Sequence, residues 1–141
     1  MSQRPYTSSD KWVTSLIAGL LFLLLASPFA YSLTSGLFGE SLSCPDLTML
    51  TVHAVAYTLI IRLMMGSRAD DKYSSKDKWI VSIIGGVLFM LLSSPFLYSA
   101  VDGAAEWLLN VRTSSKDGCP LPTGLAIHTA VFIIIIRILM R

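Results

Sequence analysis

The chain has 141 residues, of which 53% are apolar and 14% charged, and its formal net charge is +2. An average soluble domain carries about a quarter charged residues. The composition therefore excludes an ordinary water-soluble domain, and the length excludes more than one compact unit.

Asp10-Lys11-Trp12 opens the first apolar run. Val13 to Leu33 holds no ionisable group except the phenol of Tyr31, and about 20 apolar residues cross a hydrocarbon core of roughly 30 Å. A signal peptide is the competing reading. The length of the run, its lack of an Ala-x-Ala-like cleavage site and its reappearance in mid-chain all oppose that. Ser15-x-x-x-Gly19 places two small residues four apart, which lets helices approach closely. The expected partner is the third spanning helix or the helix that completes the hairpin. Pro28 removes a backbone donor and predicts a kink, with Ser27 bonding the freed carbonyl. A fixed bend is the plain reading and a gating hinge the alternative. Tyr31 lies 19 residues after Trp12, as Tyr98 does after Trp79, about 28 Å along a helix, which places each pair as anchors at opposite interfaces.

A loop carrying Cys44-Pro45 leads to a second run, expected to be helical over 47–65. It contains His53 about two turns in and Arg62 in its last turn. Ala54-x-x-x-Thr58 offers another small face. A polar linker, 67–78, mixes both signs of charge. Asp77-Lys78-Trp79 then opens a third run, helical over about 79–101, with Ser82-x-x-x-Gly86, Ser94-Pro95 and Tyr98. The next loop holds Ala104 to Leu109, readable as a short interfacial helix with Trp107 and Leu108 in lipid, and then Cys119-Pro120. The fourth run, about 124–140, carries His128, Arg137 and Ala126-x-x-x-Ala130.

The runs are two copies of one pattern. The segment from Asp10 to Ser32 returns 67 positions later, about two thirds identical, and Cys44, His53 and Arg62 return 75 positions later as Cys119, His128 and Arg137. Residues 1–66 form one hairpin repeat and 79–141 the other. The expected fold is all-α: four transmembrane helices, as two hairpins of the same orientation related by a pseudo-twofold axis along the membrane normal. Both termini and the linker share one side, which carries Arg4, Lys11, Arg62, Arg68, Lys72, Lys76, Lys78, Arg137 and Arg141, against Arg112 and Lys116 on the other. The basic side is expected to be cytosolic.

Few residues offer chemistry. Cys44 and Cys119, in equivalent positions, suit a disulfide on the non-cytosolic side. Free thiols and an intermolecular bridge or metal stay open. His53 and His128 are ionisable groups inside spans, each a functional hypothesis by default. With the cysteines they have the ligand types for zinc, but a neutral histidine bonded to a neighbouring helix near Ser27, Ser94, Tyr31 or Tyr98 is the plainer reading. Arg62 and Arg137 read as snorkelling anchors at helix C-termini, with anionic lipid or a partner's carboxylate as the alternative. There is no phosphate loop, no Ser/His/Asp set, no Cys-x-x-Cys and no nucleic-acid motif. The chain is expected to be no enzyme, to need no cofactor or metal and to bind no nucleic acid.

Ser75 to Gly86, Ser94-Pro95-Phe96-Leu97-Tyr98, Gly118-Cys119-Pro120 and Gly124 to Thr129 together resemble a family of small two-helix membrane proteins of large nucleocytoplasmic DNA viruses, of the algal and amoebal type. Each repeat resembles one whole member. The resemblance implies residence in a viral inner membrane and a structural role, as a minor capsid component joining lipid to the shell, with the bilayer and capsid or other membrane proteins as partners. A small channel or transporter with a pseudo-twofold core is the alternative expectation.

Overall fold

The computed structural model describes residues 7–38, 45–66, 73–116 and 119–140. It is all-helical: α1 (Ser8–Leu25), α2 (Pro28–Leu37), α3 (Leu47–Gly66), α4 (Ser75–Leu92), α5 (Pro95–Leu109) and α6 (Pro122–Leu139). Among the described residues no sheet forms, and a single isolated bridge joins Ser114 to Pro120. Helices α1, α3 and α6 are each long and apolar enough to cross a membrane. The pair α4–α5, bent by 56°, passes the same test as one broken span. Three to four crossing helices fit a multi-pass membrane protein, in which each backbone satisfies its own hydrogen bonds.

Capping boxes set two of the starts. The Thr7 hydroxyl accepts from Asp10 N at 3.2 Å while the Asp10 carboxylate accepts from Thr7 N at 2.9 Å. Ser74 and Asp77 make the same reciprocal pair, both bonds at 3.2 Å. Two of the four orphan donors at each helix start are thereby satisfied. The boxes place the starts of α1 and α4 at Ser8 and Ser75, ahead of the expected 13 and 79. Asp46 starts α3 by accepting from Met49 N at 2.8 Å.

The expected continuous helices over 13–33 and 79–101 are each two helices. Pro28 and Pro95 are the first residues of new helices, α2 and α5, rather than kinks within old ones. A proline at position 28 has no N–H to give the carbonyl four residues back. The Ser27 hydroxyl donates to that carbonyl, Leu24 O, at 2.8 Å, and accepts from Ala30 N at 3.2 Å. Ser94 does the same between Leu91 O, at 2.8 Å, and Leu97 N, at 3.3 Å. One hydroxyl thus ends one helix and caps the next. A serine before proline makes the chain turn where proline alone would bend it.

Packing is chiefly α1 on α6 and α3 on α4, with lesser contacts of α1 with α3 and of α4 with α6. Helix α2 contacts α1 and α3, and α5 contacts α4 and α6. The small-residue positions set the main pairs. Ser15 and Ser82 are fully buried, each donating to a carbonyl of its own helix, Lys11 O and Lys78 O. A Cβ on Gly19 would fall 2.2 Å from Ile133 of α6, and one on Gly86 would fall 1.9 Å from the Thr58 hydroxyl of α3. Their partners are therefore neither each other's helices nor their own hairpin mates. Ala54 and Thr58 do face Gly86, whereas Ala126 and Ala130 are exposed, and Ile133 takes the close-contact position on α6.

Candidate functional site

Two histidines sit beneath the helix breaks. His53 is on the second turn of α3 and His128 on the second turn of α6, both 2% exposed. His53 Nδ1 lies 2.7 Å from Leu25 O and His128 Nδ1 lies 2.6 Å from Leu92 O. Leu25 and Leu92 end α1 and α4, so their carbonyls belong to the last turn that helix geometry leaves unpaired. A carbonyl only accepts, so each Nδ1 carries the proton and donates. The histidines therefore close the helix ends that the prolines open.

Tyr31 stacks on His53 with ring centroids 4.5 Å apart and planes at 22°, and Tyr98 stacks on His128 at 4.0 Å and 15°. Both tyrosines are 1% exposed. This corrects their assignment as interfacial anchors: the break re-aims the chain, so a residue four positions into α2 or α5 points into the bundle instead of toward the head groups. The outward positions of α2 and α5 are taken by Phe29, Leu37, Phe96 and Trp107, between 73% and 83% exposed.

The two histidines differ at the second ring nitrogen. His53 Nε2 lies 2.9 Å from the Thr34 hydroxyl. The sequence position matching Thr34 is Val101, and His128 Nε2 is buried with no hydrogen-bond partner among the described residues. An unpaired buried acceptor costs about 1–3 kcal/mol. Val101→Thr is therefore expected to stabilise the protein by about 1 kcal/mol, and Thr34→Val to destabilise it by a similar amount. Thermal unfolding of the detergent-solubilised protein checks both; a Val101→Thr protein less stable than the parent would contradict this account.

At the opposite end of the bundle, Arg62 donates to the Ser75 hydroxyl at 3.0 Å with its guanidinium 5.3 Å from the Trp79 ring centre. Arg137 donates to the Ser8 hydroxyl at 3.1 Å and lies 5.3 Å from Trp12. Each arginine thus ties the end of one helix to the start of its packing partner, with a cation–π contact added. Trp12 and Trp79 remain 46% and 43% exposed, amphipathic rings half out of the protein.

The loop after α5 is held by a carboxylate that the sequence presented only as a loop residue. Asp102 Oδ1 accepts from Thr113 N, from the Thr113 hydroxyl at 3.2 Å and from Ser114 N at 2.8 Å. Gly124 lies under the same turn, where a Cβ would come 2.0 Å from Thr113 O. Ser115 N donates to Cys119 O at 2.9 Å and Leu121 N to Thr113 O at 3.1 Å. Asp102→Ala would leave three donors without their acceptor. It is expected to raise amide exchange at Thr113 and Ser114 about tenfold or more, with little change elsewhere; unchanged exchange would remove Asp102 from this role. The segment Ala104 to Leu109, expected as a separate interfacial helix, is the continuation of α5, with Trp107 83% and Leu108 66% exposed.

Cys119 is disulfide-bonded, and Cys44, the other cysteine of the chain, lies outside the described residues, as do the linker cations Arg68 and Lys72. Among the described residues no group of three or more His, Cys, Asp or Glu side chains converges on a metal-sized space. Sequence reasoning missed a further cluster, an aromatic quartet at the bundle centre. Phe22, Phe89 and Phe132 are 0% exposed and Tyr57 is 1%. Phe22 stacks on Phe132 at 4.7 Å and meets Phe89 edge-on at 5.4 Å, while Tyr57 stacks on Phe89 at 5.3 Å and meets Phe132 edge-on at 5.7 Å. The Tyr57 hydroxyl donates to Ala18 O at 3.3 Å. The signal for it was the pairing of Phe22 with Phe89 and of Tyr57 with Phe132 at the repeat spacings. Comparison of the chain with protein-family models, with curated proteins and with solved structures returned no match.

Proposed function

We propose that this chain is a structural multi-pass membrane protein, built as two hairpins of the same orientation about a pseudo-twofold axis along the membrane normal. What supports the arrangement is the recurrence of contacts at the repeat spacings. His53 on Leu25 is matched by His128 on Leu92, and Arg62 on Ser75 by Arg137 on Ser8. In this reading the end with the arginine–tryptophan pairs faces the cytosol, because lysine and arginine concentrate there.

The observation that carries the structural role is the aromatic quartet. Four rings fill the level of the bundle where a conducting path would run, and each is 1% exposed or less. A channel needs a polar lining through that level, so a static scaffold fits the interior better. The resemblance of each repeat to small inner-membrane proteins of large DNA viruses favours a place in a virion membrane, joining bilayer to capsid. Quantitative proteomics of purified particles tests this. Recovery of the chain in fixed stoichiometry with capsid protein is expected, and its absence from particles would end the virion assignment. Ion or solute flux in liposomes reconstituted with the purified protein would instead favour a channel, and its loss in a His53→Ala, His128→Ala double variant would place the path beside the histidines.

A further inference from the structure

We propose that α5 leans into the bilayer leaflet opposite the arginine–tryptophan ends and that its protruding last turn is seated among phospholipids. The protein is then broader in that leaflet and is drawn to membranes in which that leaflet is convex. The inference rests on the chain crossing a bilayer and not on the virion assignment.

Helix lengths set the level. Helix α4 has 18 residues, about 27 Å at 1.5 Å per residue. Helix α5 has 15 residues, about 22 Å, and departs from α4 at 56°. It therefore gains only about 13 Å along the axis of α4 and moves about 19 Å to the side. The two rises together come to about 40 Å, the thickness of a bilayer with its head groups. The end of α5 thus reaches the far head-group region.

That end stands clear of the bundle. Successive helical residues are about 100° apart, so Glu106, Trp107, Leu108 and Leu109 together face every side of the last turn. All four are exposed, Trp107 by 83%. A helix lying across its neighbours would bury one of the four. In the preceding turn Asp102 and Ala105 are buried, and Asp102 accepts from Thr113 N and Ser114 N, so the loop fixes the lean.

Lipid is the occupant that suits this turn. Exposed Val87 and Leu91 of α4 lead on to exposed Phe96 at the start of α5, so the bare apolar face of the spanning helix continues onto α5. Tryptophan collects at head-group level, the level that the lengths give Trp107. Asn110 and Arg112 follow at once, both exposed, where the apolar row ends. At the other end of the bundle the helices are held close, with Ser15 and Ser82 buried between them. A molecule narrow in one leaflet and broad in the other, with bulky side chains at the head-group boundary, responds to curvature.

The test uses the full chain with a fluorophore on a cleavable C-terminal tag, reconstituted in giant vesicles from which a thin tether is pulled outward. External protease strips the fluorophore from molecules whose C-terminus lies outside. The remaining signal reports those with α5 in the outer leaflet, which is convex in the tether. Their density in the tether is expected to exceed that in the flat membrane roughly twofold or more. A Phe96→Ser, Trp107→Ser variant, altered only at exposed positions, is expected to lose most of that excess. Trp107, left as the only tryptophan by Trp12→Phe and Trp79→Phe, is expected to be quenched by phospholipid brominated high on the acyl chain and sheltered from aqueous iodide. Equal density in tether and flat membrane, or an undiminished excess in the serine variant, overturns the proposal and leaves the membrane reading intact. Release of the chain by alkaline carbonate would end both. Iodide quenching of Trp107 without bromolipid quenching also overturns the proposal, because the turn would then meet water or a protein partner.

Discussion

Gly86→Ala is expected to destabilise the protein, whereas Gly19→Ala is expected to be close to neutral, although both glycines occupy the same place in the repeated pattern. The difference lies in what each new Cβ meets. At Gly19 it would fall 2.2 and 2.6 Å from Cγ1 and Cδ1 of Ile133, side-chain carbons that a rotamer change can move at a cost of about 1 kcal/mol. At Gly86 it would fall 1.9 Å from the Thr58 hydroxyl and 3.2 Å from Ala54 O. That hydroxyl is tied to the same carbonyl at 2.9 Å, and the carbonyl is backbone, so α3 itself must move. Overpacking of this kind costs about 1–3 kcal/mol, against about 0.5–1 kcal/mol gained from replacing a helical glycine by alanine. The balance is unfavourable at Gly86 and near zero at Gly19. Leucine at either position exceeds what side-chain rotation can absorb, and folded yield should fall sharply for both. Reversible unfolding in mixed micelles measures the alanine pair, and gel filtration in detergent measures the leucine pair. A Gly86→Ala protein as stable as its parent would mean that α3 and α4 are not held at this contact.

The fate of these two glycines marks how far the sequence could be read. Run length and composition were enough to locate the apolar runs and their helical character, because the roughly 20-residue scale of a bilayer is a one-dimensional quantity. The choice of partner was not. A small-x-x-x-small face says that some helix comes close, and it favoured α1 with α4 or with α3, where the main pairs are α1 with α6 and α3 with α4. The proline breaks were half legible. Proline forbids one hydrogen bond, but whether the helix bends or stops depends on Ser27 and Ser94, each serving both sides of the gap. The inward turn of Tyr31 and Tyr98 follows from that stop and could not be seen without it. Asp102 escaped notice because its three donors come from a loop 11 and 12 residues away, a spacing that carries no periodic signal. Phe22 and Phe29 illustrate the deepest limit. One is 0% and the other 73% exposed, yet both are phenylalanines in an apolar run. Lipid is as apolar as a protein core, so hydropathy cannot separate the buried face of a membrane helix from the bare one.

The quartet to which Phe22 belongs should therefore be the most sensitive place in the molecule. Phe22→Ala, Phe89→Ala and Phe132→Ala are each expected to cost about 2–3 kcal/mol, the cavity part of a buried Phe→Ala loss. The loss is one of packing rather than of hydrophobic transfer, because lipid would accept the freed ring as readily as the core does. What disappears is the dispersion contact of a ring with its neighbours at 4.7 to 5.7 Å, and a void opens where α1, α3, α4 and α6 meet. Phe29→Ala, on the lipid face, is the control. It removes the same atoms from a ring that touches little protein, and its effect should stay below about 0.5 kcal/mol. Tyr57→Phe keeps the stacking and deletes only the bond to Ala18 O, so about 1 kcal/mol is expected there. The ordering, with the three buried phenylalanines above Tyr57→Phe and that above Phe29→Ala, is what an unfolding series in mixed micelles would read. If Phe29→Ala proved as damaging as Phe22→Ala, the four rings would not be the point at which the helices lock. The scaffold reading, which rests on a filled bundle centre, would then lose its support. A Phe22→Ala protein that stays folded adds a direct check on the closed centre. The void should admit an apolar guest such as xenon or benzene and regain stability with it, while remaining as impermeable to ions as the parent, because a cavity lined by Phe89, Tyr57 and Phe132 stays dry.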